Sequence, residues 1–481
     1  MEKNLSQTSV MWFRRDLRIT DNVALAEAIK YSDKVLLIFI LDPQQVNKRS
    51  TVNQSAFFAS VKQLKDDLIH KDIHLQILQG DLISVFSKIK QLLPNWHNLY
   101  FNNDENGYGR LRDQKVAKYC REVLGVSSHS FVDYNLHGAT EIKKDNGESY
   151  KMFTPYFKKW LQLPKKAPIQ IQFDDIRQKN MSLSLTNYDG QLNQLINEHH
   201  KYAVIDQVGE ASANKLLKAF IQNKISYYEE KRDNPMFDGT SHLSRYLRTG
   251  EISIRTIYEA VRQAPDGDGR LTFIKELCWR DYYNMIYANY PDQQTHALRS
   301  EFQNIVWKNN AVDFKKWQTG QTGFPLIDAA MRQLNTTGWM HNRLRMIVAS
   351  FLTKDLLIDW RWGEAYFRDM LVDYDPASNI GGWQWAASTG TDSVPYFRVF
   401  NPTLQSKKFD PKGQFIAKFV PELARIKGQK IHEPNLLTLV EQKEYGVKLA
   451  LTYPSPIVNH KLARTRAIAV YEESKDVFNK A

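Results

Sequence analysis

The stretch KVLLIFILD, residues 34–42, decides how the first third of this chain folds. Its apolar residues follow one another without a break, which is typical of a strand buried on both faces of a parallel sheet. Four further short runs are rich in β-forming residues: SVMWF (9–13), IHLQILQG (73–80), NLYFN (98–102) and HSFVDY (129–134).

Helix-like segments separate these runs, near residues 22–30, 54–70, 82–92 and 110–124. Strands that alternate with helices predict βαβ units and a parallel sheet that is covered by helices on both faces. Asp21 or Asn22 is a suitable N-cap for the first helix. A sheet of this kind usually binds ligands at the carboxyl ends of its strands.

The pattern changes near residue 139, where KKDNGES, LPKKAP and RQKNMSLSL indicate a long connector over the surface. Beyond residue 205 helical windows dominate, at 209–223, 251–263, 271–289, 323–335, 340–357 and 362–371. The sequence therefore predicts an α/β fold joined to an all-α fold. Its predicted parts are a Rossmann-like parallel-sheet domain, a connector and a helical domain, over residues 8–138, 139–205 and 206–475.

The composition indicates which class of binding partner and which cellular compartment to expect. The chain has 481 residues, a formal net charge of +12 and an isoelectric point near 9.3, which favours a polyanionic partner such as nucleic acid. Its two cysteines, Cys120 and Cys278, form no disulfide framework or cysteine metal site. The longest apolar run, VLLIFIL, is far shorter than the roughly 20 residues of a membrane span. We expect a soluble cytoplasmic protein without a signal peptide.

Tryptophans are concentrated in the helical part, where eight of the eleven lie between residues 279 and 385. A large helical domain with an aromatic core explains most of them. The others have the chemistry for redox or stacking roles, and spacing alone does not choose between these readings.

The segment DGTSHLSRYLRTG, residues 238–250, offers hydroxyls and backbone N–H groups near a predicted helix start. A phosphate could be held there, although the segment lacks the G-x-x-x-x-G-K pattern of a P-loop. An ordinary Ser/Thr N-cap explains the same residues.

The segment FIKELCWRDYYNMIY, residues 273–287, places Glu276, Trp279, Arg280 and Tyr283 on one helix face. A carboxylate, an indole, a guanidinium and a phenol together suit a pocket for a flat aromatic ligand. A helix–helix interface with one salt bridge is the alternative.

Two later segments add further polar candidates. GWMHNRLRMIVASFL (338–352) puts Asn342 and Met346 on one helix face, and VDYDPASN (372–379) supplies Asp373 as a candidate partner for a buried arginine. Ordinary turn residues ahead of Pro376 are the alternative for these acids. The histidines lack metal-ligand spacing and no G-x-S-x-G is present, so the residues favour redox chemistry on a bound cofactor.

Five motifs together closely resemble the photolyase/cryptochrome family, namely MWFRRDLRITDN, GTSHLS, ELCWRDYY, TGFPLIDAAMRQLNTTGWMHNRLRM and DYDPASNIGGWQWAASTGTD. The resemblance spans about residues 9–475 and is closest to class I cyclobutane pyrimidine dimer photolyases of bacterial type. It implies light-driven repair of UV-damaged DNA by FAD that is fully reduced and anionic when active, in a protein expected to be a monomer.

The resemblance also implies roles for individual residues. Those expected to hold FAD are Tyr228, Thr240, Ser241, His242, Leu243, Ser244, Arg345, Asp373, Tyr374, Asp375 and Asn379. Those expected to receive the dimer are Glu276, Trp279, Asn342, Met346 and Trp385. Those expected to carry electrons to the flavin are Trp307, Trp360 and Trp383. Those expected to face DNA are Arg232, Arg280, Trp339, Arg343 and Arg398. No metal site is implied.

Two comparisons with the family pattern refine these expectations. Six-four photolyases and animal cryptochromes tend to carry histidines where this chain has Asn342 and Met346, so a cyclobutane dimer is the expected lesion. Tyr108 and Gly109 stand where folate-binding relatives carry Asn-Glu, so the identity of a second antenna chromophore is open. A six-four photolyase and a flavin photoreceptor that signals through protein partners remain the alternative functions.

Overall fold

A computed structural model describes residues 7–46, 51–197 and 207–480. Two compact units divide the chain, and each is built from separated segments. The first comprises Met1–Tyr150, Thr154–Ser226 and Ser241–Asn289, and the second comprises Lys151–Phe153, Tyr227–Thr240 and Tyr290–Ala481. The predicted division at 8–138, 139–205 and 206–475 stays a prediction, and its junction at residues 205 and 206 lies outside the described residues.

The first unit is built on a parallel six-stranded sheet. Its strands are β1 (Thr8–Phe13), β2 (Lys34–Leu41), β3 (Gln76–Gln79), β4 (Trp96–Asn102), β5 (Ser127–Phe131) and β6 (Asn180–Met181). The order is β3-β2-β1-β4-β5, with β6 paired to β2. All five predicted strands are present, and every residue of β1 and all but the first of β2 are buried, as expected for a sheet covered on both faces.

Helices surround this sheet, and those predicted in the first third are confirmed. The first unit contains α1 (Val23–Tyr31), α2 (Val52–Ile69), α3 (Leu82–Leu92), α4 (Gly107–Glu122), α5 (Phe153–Gln162), α6 (Phe173–Lys179), α7 (Asp189–Asn197), α8 (Gly209–Asn223), α10 (Ser244–Thr249), α11 (Ile254–Gln263) and α12 (Asp268–Asn289). The second unit includes the first residue of α5.

Asn22 is the N-cap of α1, because its side-chain oxygen accepts a hydrogen bond from the Leu25 N–H at 3.1 Å. Asp21, the other predicted cap, has a left-handed backbone with φ of 49° and binds Arg255 at 3.0 Å instead.

Buried charges fix the segment 241–289 within the first unit. Asp133 lies between Arg18 at 2.5 Å and Arg255 at 2.7 Å, and Arg255 also pairs with Asp21 at 2.9 Å. Burial alone would raise the pKa of Asp133, but the two arginines hold it below its ordinary value. Removal of one partner from such a buried cluster costs about 3–5 kcal/mol. The cluster therefore holds α11, and with it α12, in a defined place against the sheet.

The stretch predicted as a connector contains short regular elements in its described part. Within it β6 pairs with β2, and α7 packs on α2, where the Ser55 hydroxyl donates to the Leu195 carbonyl at 2.9 Å. The first unit therefore includes most of the described connector.

The second unit is helical. Its helices are α9 (Tyr228–Lys231), α13 (Ala311–Thr319), α14 (Pro325–Thr337), α15 (Asn342–Ser350), α16 (Trp360–Met370), α17 (Pro376–Ala386), α18 (Pro402–Phe409), α19 (Gln414–Phe419), α20 (Leu439–Tyr445) and α21 (His460–Lys480). A single helix was expected over 340–357, but α15 ends at Ser350 and a π-helical turn follows over Phe351–Asp355. No helix in the described part of the chain is long and apolar enough to cross a membrane.

Helices α16 and α17 are packed unusually closely at one glycine. A Cβ atom on Gly363 would overlap the Trp383 ring, which is itself only 2% exposed. The absence of a side chain at this position therefore lets the indole lie against the backbone of α16.

We predict that Gly363→Ala destabilises the protein by about 1–3 kcal/mol, because the added methyl group overpacks the buried contact with Trp383. Urea unfolding of the wild type and the variant measures this difference. Gly382→Ala is the matched control, since a Cβ there meets no atom within 4 Å. The control should change stability by less than about 1 kcal/mol, in the stabilising direction. Equal effects at both glycines would contradict the packing account.

Candidate active site

Two capped helices of the second unit carry several of the predicted site residues. The first is α15, where the Nδ1 atom of His341 accepts a hydrogen bond from the Arg343 N–H at 3.1 Å. The second is α17, where the Asp375 carboxylate accepts from the Ser378 N–H at 2.9 Å. Asp375, predicted beside the flavin, is thus also an N-cap that fixes where α17 begins.

Arg345 and Asp373, predicted as an ion pair over the flavin, do form an ion pair. One guanidinium nitrogen, Nη2, lies 3.0 and 2.7 Å from the two carboxylate oxygens, and Nε donates to the Met340 carbonyl at 2.8 Å. The Asp373 side chain is 3% exposed, whereas a quarter of the Arg345 side chain is exposed. The carboxylate is therefore largely enclosed, while the guanidinium keeps an open side.

Glu364 holds two of the predicted flavin-site residues and was not predicted from the sequence. Its Oε1 accepts from the Tyr374 hydroxyl at 2.9 Å and from the Asn379 Nδ2 at 3.1 Å. This contact commits the amide nitrogen of Asn379 and leaves its Oδ1 as the acceptor. Burial and the neighbouring Glu364 carboxylate raise the pKa of Tyr374 well above its ordinary value. The sequence has no local signal for this role, because the partners of Glu364 belong to later segments of the chain.

The three candidate electron carriers have different surroundings. Trp383 packs edge-on against Phe367 at 5.0 Å and Trp317 at 6.1 Å, and both Trp383 and Trp360 are 2% exposed. Trp307 is half-buried, and its ring lies 6.3 Å from that of Tyr471. These three indoles make no ring pair with one another in the described part of the chain. Two of them are buried and Trp307 is half-buried.

The second unit contains three of the five residues predicted to receive the dimer. Asn342 is exposed at the start of α15, and Met346 follows one turn later on the same face. Trp385 is half-buried and lies two residues after Trp383, about 200° around the helix. Because Trp383 faces α16, Trp385 points to a different side of α17.

The first unit contains the other two, on α12. Glu276 and Trp279 lie one turn apart on a half-buried face, and the Trp279 ring stacks on Tyr283 at 5.4 Å. On the same face, the Arg280 guanidinium lies 3.6 Å from the Tyr134 ring centroid and hydrogen-bonds the Tyr134 carbonyl. The predicted mixed face of α12 is therefore confirmed, and its arginine is already engaged within the first unit.

The residues predicted around the flavin phosphates are divided between the two units. Tyr228, the first residue of α9, is 8% exposed, and Thr240 lies in the second unit with it.

The remaining four, Ser241 to Ser244, lie in the first unit, where Ser244 is the first residue of α10 and the other three precede it. An ordinary N-cap does not explain them, because α10 is capped by Leu243 without a side-chain hydrogen bond. The Ser241 hydroxyl instead accepts from the Leu243 N–H at 3.3 Å. His242 has a left-handed backbone with φ of 54°, which is uncommon outside glycine and often marks functional sites.

The predicted DNA-facing residues of the second unit are partly engaged. Arg343 makes a bidentate ion pair with Asp233, at 3.2 and 2.7 Å, and lies over the Phe409 ring. The Arg232 guanidinium lies 5.4 Å from the ring of Tyr228.

Two further DNA-facing candidates are less engaged. Arg398 is exposed and makes no side-chain hydrogen bond or ion pair with other described residues. Trp339 is half-buried with its ring edge-on to His341.

Charged residues fill the crevice of the first unit at the point where strand order reverses, between β1 and β4. Arg14 pairs with Asp113 at 3.3 Å and hydrogen-bonds the Asn102 carbonyl, while the Nε of Arg15 pairs with Asp104 at 3.0 Å. Ligands of such sheets often bind at this reversal. Here the ion pairs of Arg14 and Arg15 occupy the crevice between β1 and β4, so the space open to a ligand lies beside them, next to β1 and β2.

That space is an open crevice of about 140 Å³ beyond the ends of β1 and β2. Its lining combines aromatic rings, among them Trp12, Phe39 and Phe57, with polar groups. Gln54 is 7% exposed, and neither atom of its amide has a hydrogen-bond partner among the described residues. Nε and Nη1 of Arg14 are likewise buried and unpaired there. A planar ligand with polar edges would satisfy these groups.

Tyr108 and Gly109, where the chain departs from the folate-binding pattern, lie in the first unit on α4. The Tyr108 hydroxyl donates to Asp42 at 2.7 Å and to Gln44 at 2.9 Å. A Cβ on Gly109 would lie 2.6 Å from Asp104, so a larger side chain requires that carboxylate to move. Within the described ranges, no group of three or more His, Cys, Asp or Glu side chains is arranged to hold a metal ion.

Comparisons with known proteins agree over nearly the whole chain. A family model described as DNA photolyase matches residues 9–172, and one described as FAD binding domain of DNA photolyase matches residues 273–473. The deoxyribodipyrimidine photo-lyase of Alkalihalophilus pseudofirmus is 42% identical over 476 residues, covering 98% of each chain. That of Escherichia coli is 39% identical over 484 residues, covering 97% of this chain and 99% of the relative.

Solved structures give the same result. A class III photolyase from Agrobacterium tumefaciens matches with a TM-score of 0.92 at 33% identity, covering 98% of both chains. A Synechocystis cryptochrome matches at 0.87 and 29% identity, covering 97% of this chain and 100% of the other. An archaeal photolyase from Sulfolobus tokodaii with two FAD molecules matches at 0.79 and 32% identity, with the same coverage.

We predict that acid weakens the start of α15 through His341. Burial lowers the pKa of this histidine to about 4 from an ordinary 6.5. The unfolded chain therefore binds a proton before the folded one does, and stability is lost as the pH falls from 6.5 towards 4. His341→Asn keeps an N-cap acceptor but does not titrate.

Urea unfolding of both proteins between pH 7 and pH 4.5 is the measurement. The wild type should lose stability relative to His341→Asn as the pH falls through this window. A difference between the two proteins that is constant with pH would contradict the assignment.

Proposed function

The chain belongs to the DNA photolyase family, and we propose from this that it splits cyclobutane pyrimidine dimers in DNA in a light-driven reaction. Full-length relatives named deoxyribodipyrimidine photo-lyase make it a DNA-repair enzyme. The finer proposal is supported by the Arg345–Asp373 ion pair and by Asn379, whose amide is held by Glu364.

FAD is the proposed cofactor, and the residues present fit it. The open side of the Arg345 guanidinium and the free Oδ1 of Asn379 offer a donor and an acceptor to a polar ring edge. Tyr228 and Thr240 add hydroxyls suited to phosphate or sugar oxygens. When bound, reduced FAD supplies the electron that light drives into the dimer. Glu364 contributes indirectly, by holding the amide of Asn379 in one orientation.

The dimer has to leave the base stack to reach this site. Photolyases as a class act on a flipped-out base, and a damaged base costs least to unstack. We assign Trp279 and Trp385 as stacking walls, each worth about 1–3 kcal/mol per stacked base. Asn342, Met346 and Glu276 would provide the polar and adaptable contacts to the pyrimidine edges. Asn342 is exposed and the other four are half-buried, so each keeps some accessible surface, as a substrate contact requires.

Arginines would supply the affinity for the DNA backbone, which falls as the salt concentration rises. Arg398 is the arginine most available to bind a DNA phosphate, because it is exposed and makes no ion pair with the described residues. Arg343 would have to share its guanidinium with Asp233, and Arg280 with Tyr134. We therefore expect Arg398 to contribute more phosphate affinity than either.

Trp307, Trp360 and Trp383 are proposed to carry electrons inward and so to return an oxidised cofactor to its active state. The gradient from half-exposed Trp307 to buried Trp383 supports that direction. The Nε1 of Trp383 is buried without a hydrogen-bond partner among the described residues, so no neighbouring base withdraws its proton.

A second chromophore is proposed for the aromatic crevice of the first unit. The Sulfolobus photolyase structure contains two FAD molecules, which its description connects with a light-harvesting cofactor. In this chain the unpaired amide of Gln54 and the surrounding rings suit a flavin or a related planar chromophore. The Tyr108–Asp42 hydrogen bond and the closed position at Gly109 argue against the folate pattern.

Two other functions compete with dimer repair. A flavin photoreceptor deserves comparison because the Synechocystis cryptochrome shares the fold at a TM-score of 0.87. It would reduce its flavin in light without repairing DNA. A six-four photolyase would repair only the six-four photoproduct, and Asn342 and Met346 argue against it.

We also propose that the protein acts as a monomer and is located in the cytoplasm.

The proposed repair is tested with an oligonucleotide that carries one cyclobutane dimer, incubated with the purified protein in blue light and in darkness. We expect dimer loss in light alone. Trp385→Ala should weaken binding of this oligonucleotide by about 1–3 kcal/mol, because one stacking wall is removed. Trp362→Ala serves as the control on a neighbouring helix. Dimer loss in darkness, or none in light, would refute the proposal.

The second chromophore is tested by measuring bound flavin after incubation with excess FAD. We expect more than one equivalent per chain, and close to one for Gln54→Leu, because that variant removes the unpaired amide of the crevice. Gln63→Leu on the same helix is the control, since this amide hydrogen-bonds Asp67 instead. A single equivalent in all three proteins would show that the crevice does not take a flavin.

A further inference from the structure

Lys354 is buried in the second unit without a carboxylate partner. It lies in the π-helical turn after α15 and is 0% exposed. Its neighbour Asp355 is equally buried but pairs with His460 at 2.6 Å. Among the described residues no acid lies within ion-pair distance of the Lys354 ammonium. A buried charge without a partner is costly, and a methionine of similar length would fill the same space at less cost. The charge at this position therefore calls for an explanation beyond packing.

The contacts of this lysine connect two parts of the proposed electron route. Its Nζ donates to the Ser388 hydroxyl at 2.8 Å, directly after the helix that carries Trp383. A cation at a helix C-terminus is favourable, because it faces the negative end of the helix dipole. The same Nζ lies 4.0 Å from the ring centroid of Tyr471.

Tyr471 belongs to a small aromatic cluster at the outer end of that route. Its ring is perpendicular to Trp307 at 6.3 Å and parallel to Tyr396 at 6.0 Å. Its hydroxyl donates to the Ala387 carbonyl at 2.5 Å. Tyr471 is thus a common neighbour of the Lys354 ammonium and the Trp307 ring.

We propose that Lys354 is a positioning residue that tunes the outer end of the electron route, because its ammonium opposes positive charge on Trp307. The inference rests on the proposed route through Trp307, Trp360 and Trp383. When Trp307 gives up an electron towards the cofactor, a positive charge forms on its indole, and an external thiol later returns the electron. A neighbouring ammonium destabilises that positive charge, so the electron passes back from the cofactor to Trp307 more readily and the yield of reduced flavin falls. A neutral amine has no such effect.

Burial lowers the pKa of Lys354 to about 7, so both charge states are accessible near neutral pH. Few other charges face it. From α21, Lys475 lies 5.5 Å from the Tyr396 ring, and Arg466 donates to the carbonyl of the adjacent Asp355. Asp355 and His460 neutralise each other when the histidine is protonated. Asp359, at the start of α16, raises the pKa of Tyr471 together with burial.

The test compares the yield of light-driven flavin reduction in the wild type, Lys354→Met and Lys354→Arg, with a thiol reductant present. The wild-type yield should rise by at least about twofold from pH 6 to pH 8.5, as the ammonium is lost. Lys354→Met should remain at the high value throughout, and Lys354→Arg at the low value. Lys475→Met is the control and should follow the wild type, because its charge lies in a half-exposed position.

A second measurement needs no flavin. The folded-state pKa near 7 lies below that of an unfolded lysine, 10.5, so the unfolded chain binds more protons between these values. The stability of the wild type should therefore rise relative to Lys354→Met as the pH increases from 7. Urea unfolding of both proteins over this range measures the difference.

The outcomes separate this inference from the electron route itself. Trp383→Phe should slow flavin reduction, and an unchanged rate would refute the route and the role of Lys354 with it. If flavin reduction is slow in Trp383→Phe but its yield in Lys354→Met varies with pH as in the wild type, the electron route is supported and the proposed role of Lys354 is wrong. A Lys354→Met yield below the wild-type value at every pH would also overturn it, since only a structural role predicts that result.

Discussion

The contact between Trp383 and the backbone of α16 at Gly363 is the constraint on which the second unit's site depends. Because Gly363 has no side chain, the indole lies against α16, and the next residue, Glu364, faces Tyr374 and Asn379. Any larger residue at this glycine would separate the two helices. The same contact therefore buries one candidate electron carrier and orients the amide proposed to face the flavin.

Two kinds of buried charge occur in the chain, and they act differently. The Arg345–Asp373 pair and the Arg18–Asp133–Arg255 cluster are compensated, so each fixes the backbone segments that its members belong to. Lys354 has no acid partner among the described residues, so it contributes little to fixing structure. Its value lies in the electrostatic potential that it creates next to aromatic rings.

Much of the fold was predictable because its signals are local. Strands such as β2 are apolar along their length because both faces of the sheet are covered. Helix α8 has the same bounds, 209–223, as the helical segment predicted from the sequence. The predicted helix over 340–357 missed a change of helix type after Ser350, because the buried polar pair at 354 and 355 lies in a π-helical turn that propensity does not reveal. The predicted domain boundaries remain untested.

The candidate site residues were predicted mainly from the resemblance of the sequence motifs to the photolyase/cryptochrome family. The spacing of Arg345 and Asp373 alone left turn residues as an alternative, whereas the structure pairs them. Glu364 and Lys354 were missed because their roles depend on contacts across helices, with Asn379 in one case and with Tyr471 in the other. A single sequence contains no signal for such distant partners.

Lesion specificity tests the central claim most directly. Two oligonucleotides of the same sequence, one with a cyclobutane pyrimidine dimer and one with a six-four photoproduct, are incubated with the protein under blue light. We expect that the first lesion is reversed to intact pyrimidines and the second is unchanged, because the proposed dimer pocket includes Asn342 and Met346 in place of histidines. Reversal of the six-four product alone, or of neither lesion, would contradict it.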